Sequence, residues 1–277
     1  MFDNGFVFDE KYEIISKITK GGFGIIYKVK NIQNDKIYAL KTPTEKDKNN
    51  KSINNEIDFY KYFSTIENHE MYIPKIKIIN LTDDSKGILM KCMNMDLSKY
   101  IKTHTLSLKK KVFLSIKMLK IMYFIHQCGY IHRDVKLDNF ILSDNGILCI
   151  DFGLSKKYIV NDKHIKKQKD SKCGTLRFMS INSHKFKTQS RRDDLESLAY
   201  SFIYMFKNNL PWQKYEKDKD KNKLILEMKQ NIDCDELCNG IPKEYKIFLN
   251  YVQNLDFDEE PLYRSFLKSF IELYQSL

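Results

Sequence analysis

The sequence predicts an α+β chain in which strands come first and helices follow. Segments that alternate or are rich in β-branched residues crowd into residues 1–93, whereas the remainder shows apolar residues at helical spacing. Size agrees with this: 277 residues, 42% hydrophobic, with 17 Tyr and 18 Phe, suffice to bury a substantial core.

Strands are expected at 12–18, 25–31 and 36–42, then a helix over 52–64, then strands at 75–80 and 87–90. Beyond them, Val112, Ile116, Leu119 and Tyr123 recur at helical spacing within 107–128. Ser107 offers an N-cap there and Gly129 a stop, and the apolar stripe reads as core. A second buried helix is expected over 191–206, with Asp194 near its start bonded to backbone of the loop 132–139, and further helices near 220–231, 243–254 and 262–275. There are no internal repeats and no long linker.

Charge and cysteine content exclude several classes. The net charge of +11 could suggest nucleic acid, but the lysines are spread along the chain and no nucleic-acid module is visible. Steering of acidic or phosphorylated protein partners is the more economical reading. The six cysteines show no paired Cys-x-x-Cys and no ligand histidine nearby, so neither zinc nor a disulfide framework is expected. No segment reads as a signal peptide or membrane span, which points to cytoplasm or nucleus and to no membrane partner. Histidines 69, 104, 126, 164 and 184 show no constellation. Nothing suggests an obligate dimer, so a monomer is expected.

The chemistry is carried by His132-Arg133-Asp134-Val135-Lys136-Leu137-Asp138-Asn139, followed by Asp151-Phe152-Gly153. Phosphoryl transfer needs an oriented acceptor and a metal held against phosphate by hard oxygen ligands. Asp134 would take the acceptor's proton, Lys136 would face the transferring phosphoryl, and Asn139 with Asp151 would hold Mg²⁺. Upstream, Thr19-Lys20-Gly21-Gly22-Phe23-Gly24 lies between two expected strands, where glycines let backbone amides approach a phosphate. Phe23 would cap that loop. Lys41 closes the apolar strand Tyr38-Ala39-Leu40-Lys41, where an unpaired ammonium would be costly, so it needs a carboxylate. Glu45, Glu56 and Glu67 are nearby.

These motifs, in this order, resemble the eukaryotic-type protein kinases from about residue 11 to the end of the chain. The resemblance implies a two-lobed fold: a small, mostly β, nucleotide-binding N-lobe over 1–93 and a larger helical C-lobe over 94–277, together one catalytic domain. It implies ATP as phosphoryl donor, with Lys41 on the α- and β-phosphates and Glu56 as the ion-pair partner of Lys41. Ile26 and Ala39 would roof the adenine, Met90 would guard the back of its pocket, and the Met93 backbone would bind it. The kinase pattern has glycine where this chain has Thr19.

The second half narrows the family. Gly174-Thr175-Leu176-Arg177-Phe178-Met179-Ser180-Ile181-Asn182, then Gln189-Ser190-Arg191-Arg192-Asp193-Asp194-Leu195-Glu196-Ser197-Leu198, then Leu210-Pro211-Trp212-Gln213 resemble the casein kinase I family of serine/threonine kinases. Vaccinia-related kinases share the Ser-Arg-Arg and Leu-Pro-Trp elements. The resemblance implies a basic pocket for an anion on an acidic or already phosphorylated protein substrate, mapped here to Arg177, Gln213, Lys214 and Lys223. Lys214 stands where the family usually has glycine, and the run 217–223 holds several lysines from which Lys223 is chosen. Arginine supports the mapping: it occurs only at 133, 177, 191, 192 and 264, and four of the five fall inside motifs where a planar fork has a use that lysine cannot fill. Ser171 and Thr175 are possible phosphosites. No regulatory tail follows the last expected helix, so self-inhibition by a tail is not expected. The competing reading is a scaffold of the same fold that binds partners without catalysis.

Overall fold

The structure, a computed structural model, describes every residue except Met1, Phe23, Lys46, Asp83, Asp84, Asn94 and Asn145, and of Lys48 only the backbone. Its residues form two compact units: 1–95 with 141–155, and 96–140 with 156–277. The segment carrying Asp151-Phe152-Gly153 thus packs with the first unit.

The first unit is built on a six-stranded antiparallel sheet. Its strands are β1 (Val7–Phe8), β2 (Tyr12–Lys20), β3 (Ile25–Asn31), β4 (Ile37–Thr42), β5 (Ile76–Thr82) and β6 (Ser85–Lys91), in the order β1-β2-β3-β4-β6-β5. Alternation decides which face is core. Ile25, Tyr27 and Val29 of β3 are buried with Tyr12, Ile14, Leu40, Ile79 and Leu89 in one apolar cluster. The other face carries Ile26 opposite Lys41 and Ala39 opposite Met90, so these four line one side of the sheet. Helix α1 (Lys51–Phe63) buries Ile53, Glu56, Ile57, Tyr60 and Phe63 at helical spacing. A glutamate thus sits inside an otherwise apolar stripe.

The second unit is helical. Helix α2 (Leu97–Thr103) follows an Asp96 cap, which accepts from Lys99 N–H. Helix α3 (Leu108–Gln127) starts at Ser107, whose hydroxyl accepts from Lys110 N–H, and stops before Gly129 at φ +78°, a conformation that favours glycine. It is buried around most of its circumference rather than along one stripe: Leu114, Met118, Ile121, Met122 and Ile125 are as enclosed as Val112, whereas Tyr123 is half-buried and stacks on Tyr263. Lys109, Lys110 and Lys120 keep the remaining face in solvent, so α3 is a core helix with one polar edge. The chain continues through α4 (Ile181–His184), α5 (Arg191–Lys207), α6 (Lys221–Asn231), α7 (Cys234–Leu237), α8 (Lys243–Asn254) and α9 (Tyr263–Ser276). Helix α3 packs on α5 and α9, and α5 on α8. Among the described residues no helix is long and apolar enough to cross a membrane.

Candidate active site

In the first unit the fold brings Lys41, Glu56 and Asp151 together. Lys41 Nζ donates to Glu56 Oε2 and to Asp151 Oδ1, each at 2.6 Å. Glu45 and Glu67 are exposed, whereas Glu56 has no exposure, so Glu56 is the ion-pair partner. Burial disfavours charge on both members of this pair. For Lys41 the two carboxylates outweigh burial and raise its pKa; for Glu56 burial outweighs Lys41, and its pKa is raised too. Asp151 stands at φ +65°, a backbone conformation that few non-glycine residues adopt. Its neighbours hold it there. Asn55 Nδ2 donates to the carbonyls of Phe152, Gly153 and Ser155, Phe152 stacks on Phe59 at 3.8 Å, and a Cβ on Gly153 would run into Ser52 Oγ.

The glycine loop is shorter than expected. Strand β2 continues past 18 to Lys20, with Thr19 opposite Ile26 and Lys20 opposite Ile25. A β-branched threonine favours this extended pairing. Gly21 N–H then donates to Gly24 O at 2.9 Å, closing the turn. A Cβ on Gly24 would lie 3.0 Å from both Lys41 Cε and Thr42 O, so this glycine makes room for Lys41 itself. Gly22 faces open space, and Phe23 lies outside the described residues. Met93, half-buried, follows β6, and no hydrogen bond among the described residues engages its main chain.

In the second unit Asp134 is gripped at both oxygens. Oδ1 accepts from Thr175 N–H and Thr175 Oγ1, each at 2.8 Å, and Oδ2 accepts from Lys136 Nζ at 2.6 Å. Lys136 Nζ also donates to Thr175 Oγ1 at 2.8 Å. Gly174 makes this possible: it has φ +104°, and a Cβ there would stand 2.7 Å from Arg133 O. Asn139 Nδ2 donates to Asp134 O at 2.8 Å, so the amide nitrogen is committed, and among the described residues no hydrogen bond engages the amide oxygen.

Asp194 holds this loop from beneath, as the sequence suggested. Its Oδ2 accepts from His132 N–H at 2.6 Å and its Oδ1 from Arg133 N–H at 2.8 Å, where Arg133 stands at φ +71°. His126, to which the sequence gave no role, corrects that reading: it is buried between Asp194 and Tyr263, with Nε2 2.9 Å from Asp194 Oδ2. Burial would raise the Asp194 pKa, but His126 and the backbone donors outweigh it and lower it.

The residues mapped to a substrate anion are placed as follows. Arg177 Nε and Nη2 donate to Glu216 Oε1 and Oε2 at 2.6 and 2.7 Å, a two-bonded fork. Gln213 Oε1 accepts from Leu210 N–H at 2.7 Å. Lys214 is exposed over the Tyr215 ring, and Lys223 is exposed with its ammonium 3.9 Å from Glu227. Among the described residues the nearest anion to Arg177 is therefore the chain's own Glu216. Arg191 and Arg192 donate to the carbonyls of Asp258 and Leu255, and Arg133 Nη2 reaches Asp170.

Sequence reasoning listed Thr175 only as a phosphosite and missed Asn55 and Glu216. Thr175 had a visible signal, the Gly-Thr pair, but not its partner. Nothing in the one-dimensional pattern marks Asn55.

The match to known proteins agrees with this geometry. The family described as protein kinase domain matches residues 12–272. A probable casein kinase I homolog of Encephalitozoon cuniculi (strain GB-M1) is 36% identical over 271 residues, which covers 94% of this chain and 84% of that protein. The chain belongs to the protein kinase family and, within it, to the casein kinase I serine/threonine kinases.

Proposed function

We propose that this kinase transfers the γ-phosphoryl group of ATP to serine or threonine of acidic or already phosphorylated proteins, acting as a monomer in cytoplasm or nucleus. The observation that carries the catalytic reading is the doubly held Asp134 carboxylate beside Lys136. Asp134 orients the acceptor hydroxyl. As that oxygen bonds to the γ-phosphorus and the bond to the β,γ-bridging oxygen breaks, the hydroxyl proton passes to Asp134. Lys136 balances charge on the transferring group. Lys41, set by Glu56, takes the α- and β-phosphates, and Ile26, Ala39, Met90 and the main chain of Met93 offer an apolar bed with a polar edge for adenine. Gly21, Gly22 and Gly24, with Thr19 at the loop entrance, lie over the phosphates.

Protein kinases as a family use ATP with a divalent metal. Among the described residues no group of three or more His, Cys, Asp or Glu could hold a metal ion. A divalent ion would therefore be held by a few protein oxygens plus phosphate, which is how Mg²⁺ is usually bound. We assign those oxygens to Asn139 and Asp151; the ion would supply charge neutralisation to the phosphates. The net charge of +11 supports attraction of acidic segments, and the Arg177 fork supports recognition of a discrete anion, with Gln213, Lys214 and Lys223 around it.

The test is thermal unfolding with and without Mg²⁺-ATP, with product ADP measured in the same samples beside a protein substrate. A raised melting temperature together with substrate-dependent ADP release is expected. A raised melting temperature with no turnover would establish a non-catalytic scaffold instead.

A further inference from the structure

We infer that Glu216 is a specificity determinant: a carboxylate of the chain itself that fills the Arg177 fork and competes with the substrate's anion. This rests on the proposed reading of Arg177 as the anion-recognising residue. The pairing is fork to fork, with Nε–Oε1 at 2.6 Å and Nη2–Oε2 at 2.7 Å. It is reachable from solvent, the two side chains keeping 25% and 30% of their exposure. An arriving anion can therefore displace Glu216 without opening the core.

The competitor is pre-positioned. Fully buried Trp212 donates from Nε1 to the Arg177 carbonyl at 2.7 Å. The short 3₁₀ turn Pro211–Tyr215 that holds Trp212 ends at Glu216, whose N–H donates to Gln213 O. Arginine and glutamate are thus keyed to each other by one indole, and little freedom is lost when the fork closes. The guanidinium also lies beside the Phe178 and Tyr204 rings. Neighbouring lysines do not relieve Arg177 of this partner. Lys229 is buried, with its ammonium donating to the carbonyls of Leu176 and Met179, and Lys223 faces Glu227.

A resident anion lowers the affinity for every arriving anion by the same factor. A two-bonded, partly exposed pair corresponds to a factor of about 5, or about 1 kcal/mol. The consequence differs by ligand. A phosphoserine brings nearly two charges and three acceptor oxygens, so it retains an advantage over Glu216. A substrate aspartate or glutamate offers the group already tethered there and gains nothing. Glu216 therefore restricts the fork to phosphorylated segments, and acidic stretches without phosphate are bound only through diffuse charge.

The experiment uses three peptides identical except upstream of the target serine, where they carry phosphoserine, aspartate or alanine. Transfer is measured with the wild type, Glu216→Gln, Glu216→Ala and Arg177→Gln, and each rate is divided by that enzyme's rate on the alanine peptide. For the wild type the phosphoserine ratio should exceed 1 and the aspartate ratio should stay near 1. Both Glu216 variants should raise the phosphoserine ratio about fivefold and lift the aspartate ratio above 1. If Arg177→Gln lowers the phosphoserine ratio but neither Glu216 variant raises it, the competitor is refuted and the Arg177 reading stands. If Arg177→Gln changes no ratio, the Arg177 reading fails, and the inference falls with it.

Discussion

Asp194 is where a single substitution should reveal how the catalytic loop is held. Its two oxygens accept from His132 N–H, Arg133 N–H and His126 Nε2, and all of this lies in buried surroundings. Asp194→Ala removes the acceptor of the His132 and Arg133 main-chain N–H groups and of His126 Nε2, while His126 Nδ1 keeps Tyr263. Each buried orphan costs about 1–3 kcal/mol, and losing a buried network of this kind costs about 3–5 kcal/mol in total. A domain of this size loses roughly 2–4 °C of melting temperature per kcal/mol, so the expected fall is about 10 °C. Asp194→Asn should not rescue it, because the new NH₂ group faces a donor whichever way the amide turns. Arg133 at φ +71° is held in a disfavoured conformation by the same bonds, and it directly precedes Asp134. Phosphoryl transfer should therefore fall more in kcat than in peptide KM. The assay is thermal unfolding followed by circular dichroism, alongside initial rates on one peptide. A melting-temperature loss under about 2 °C for Asp194→Ala would refute the claim that Asp194 supports this loop.

Two further outcomes follow from buried charge. Lys41→Met leaves Glu56 fully buried beside Asp151 with no cation, so it should lower the melting temperature as well as transfer, by about 10²-fold or more for the latter. Adding Glu56→Gln should recover part of the stability and none of the activity; a double variant no more stable than the single would show that the ion pair is not what Lys41 supports. His184 is 4% exposed, and burial first, then Lys229, whose Nζ is 3.3 Å from Nε2, push its pKa from 6.5 down to about 3. The unfolded chain takes up that proton as pH falls below 6.5 while the folded chain does not, so stability is lost from 6.5 downward toward 3. His184→Gln should therefore gain on the wild type by about 2 kcal/mol between pH 7 and pH 5, measured as unfolding free energy. Parallel pH profiles for the two proteins would rule this out.

Much of the site could be read in one dimension because its chemistry is local. Asp134, Lys136 and Asn139 fall within one short motif, and the structure ties them with hydrogen bonds among themselves. Strand β3 and helix α8 have the expected bounds because alternation and helical periodicity are each unambiguous there. Strand β2 ran longer than expected because Thr19, a departure from the glycine pattern, is a good strand residue. Glu56 rested on resemblance; its physical reason is structural, since it lies in the buried stripe Ile53-Glu56-Ile57-Tyr60, where a charge needs a partner. Non-local partners were not legible. Thr175 reaches Asp134 only because Gly174 adopts a positive φ, and Glu216 reaches Arg177 only because Trp212 ties one segment to the other. His126 looked idle because Asp194 and Tyr263 are far away in sequence. The short helix α2 was missed as well, since its 7 residues give too little periodicity to stand out.

The most direct test is transfer of labelled γ-phosphate from Mg²⁺-ATP to a serine-containing protein, with Asp134→Asn measured beside the wild type. The wild type should yield phosphoserine or phosphothreonine in the product, and the folded variant should lose about 10²-fold or more of the rate. Transfer by Asp134→Asn at a rate near that of the wild type would contradict it.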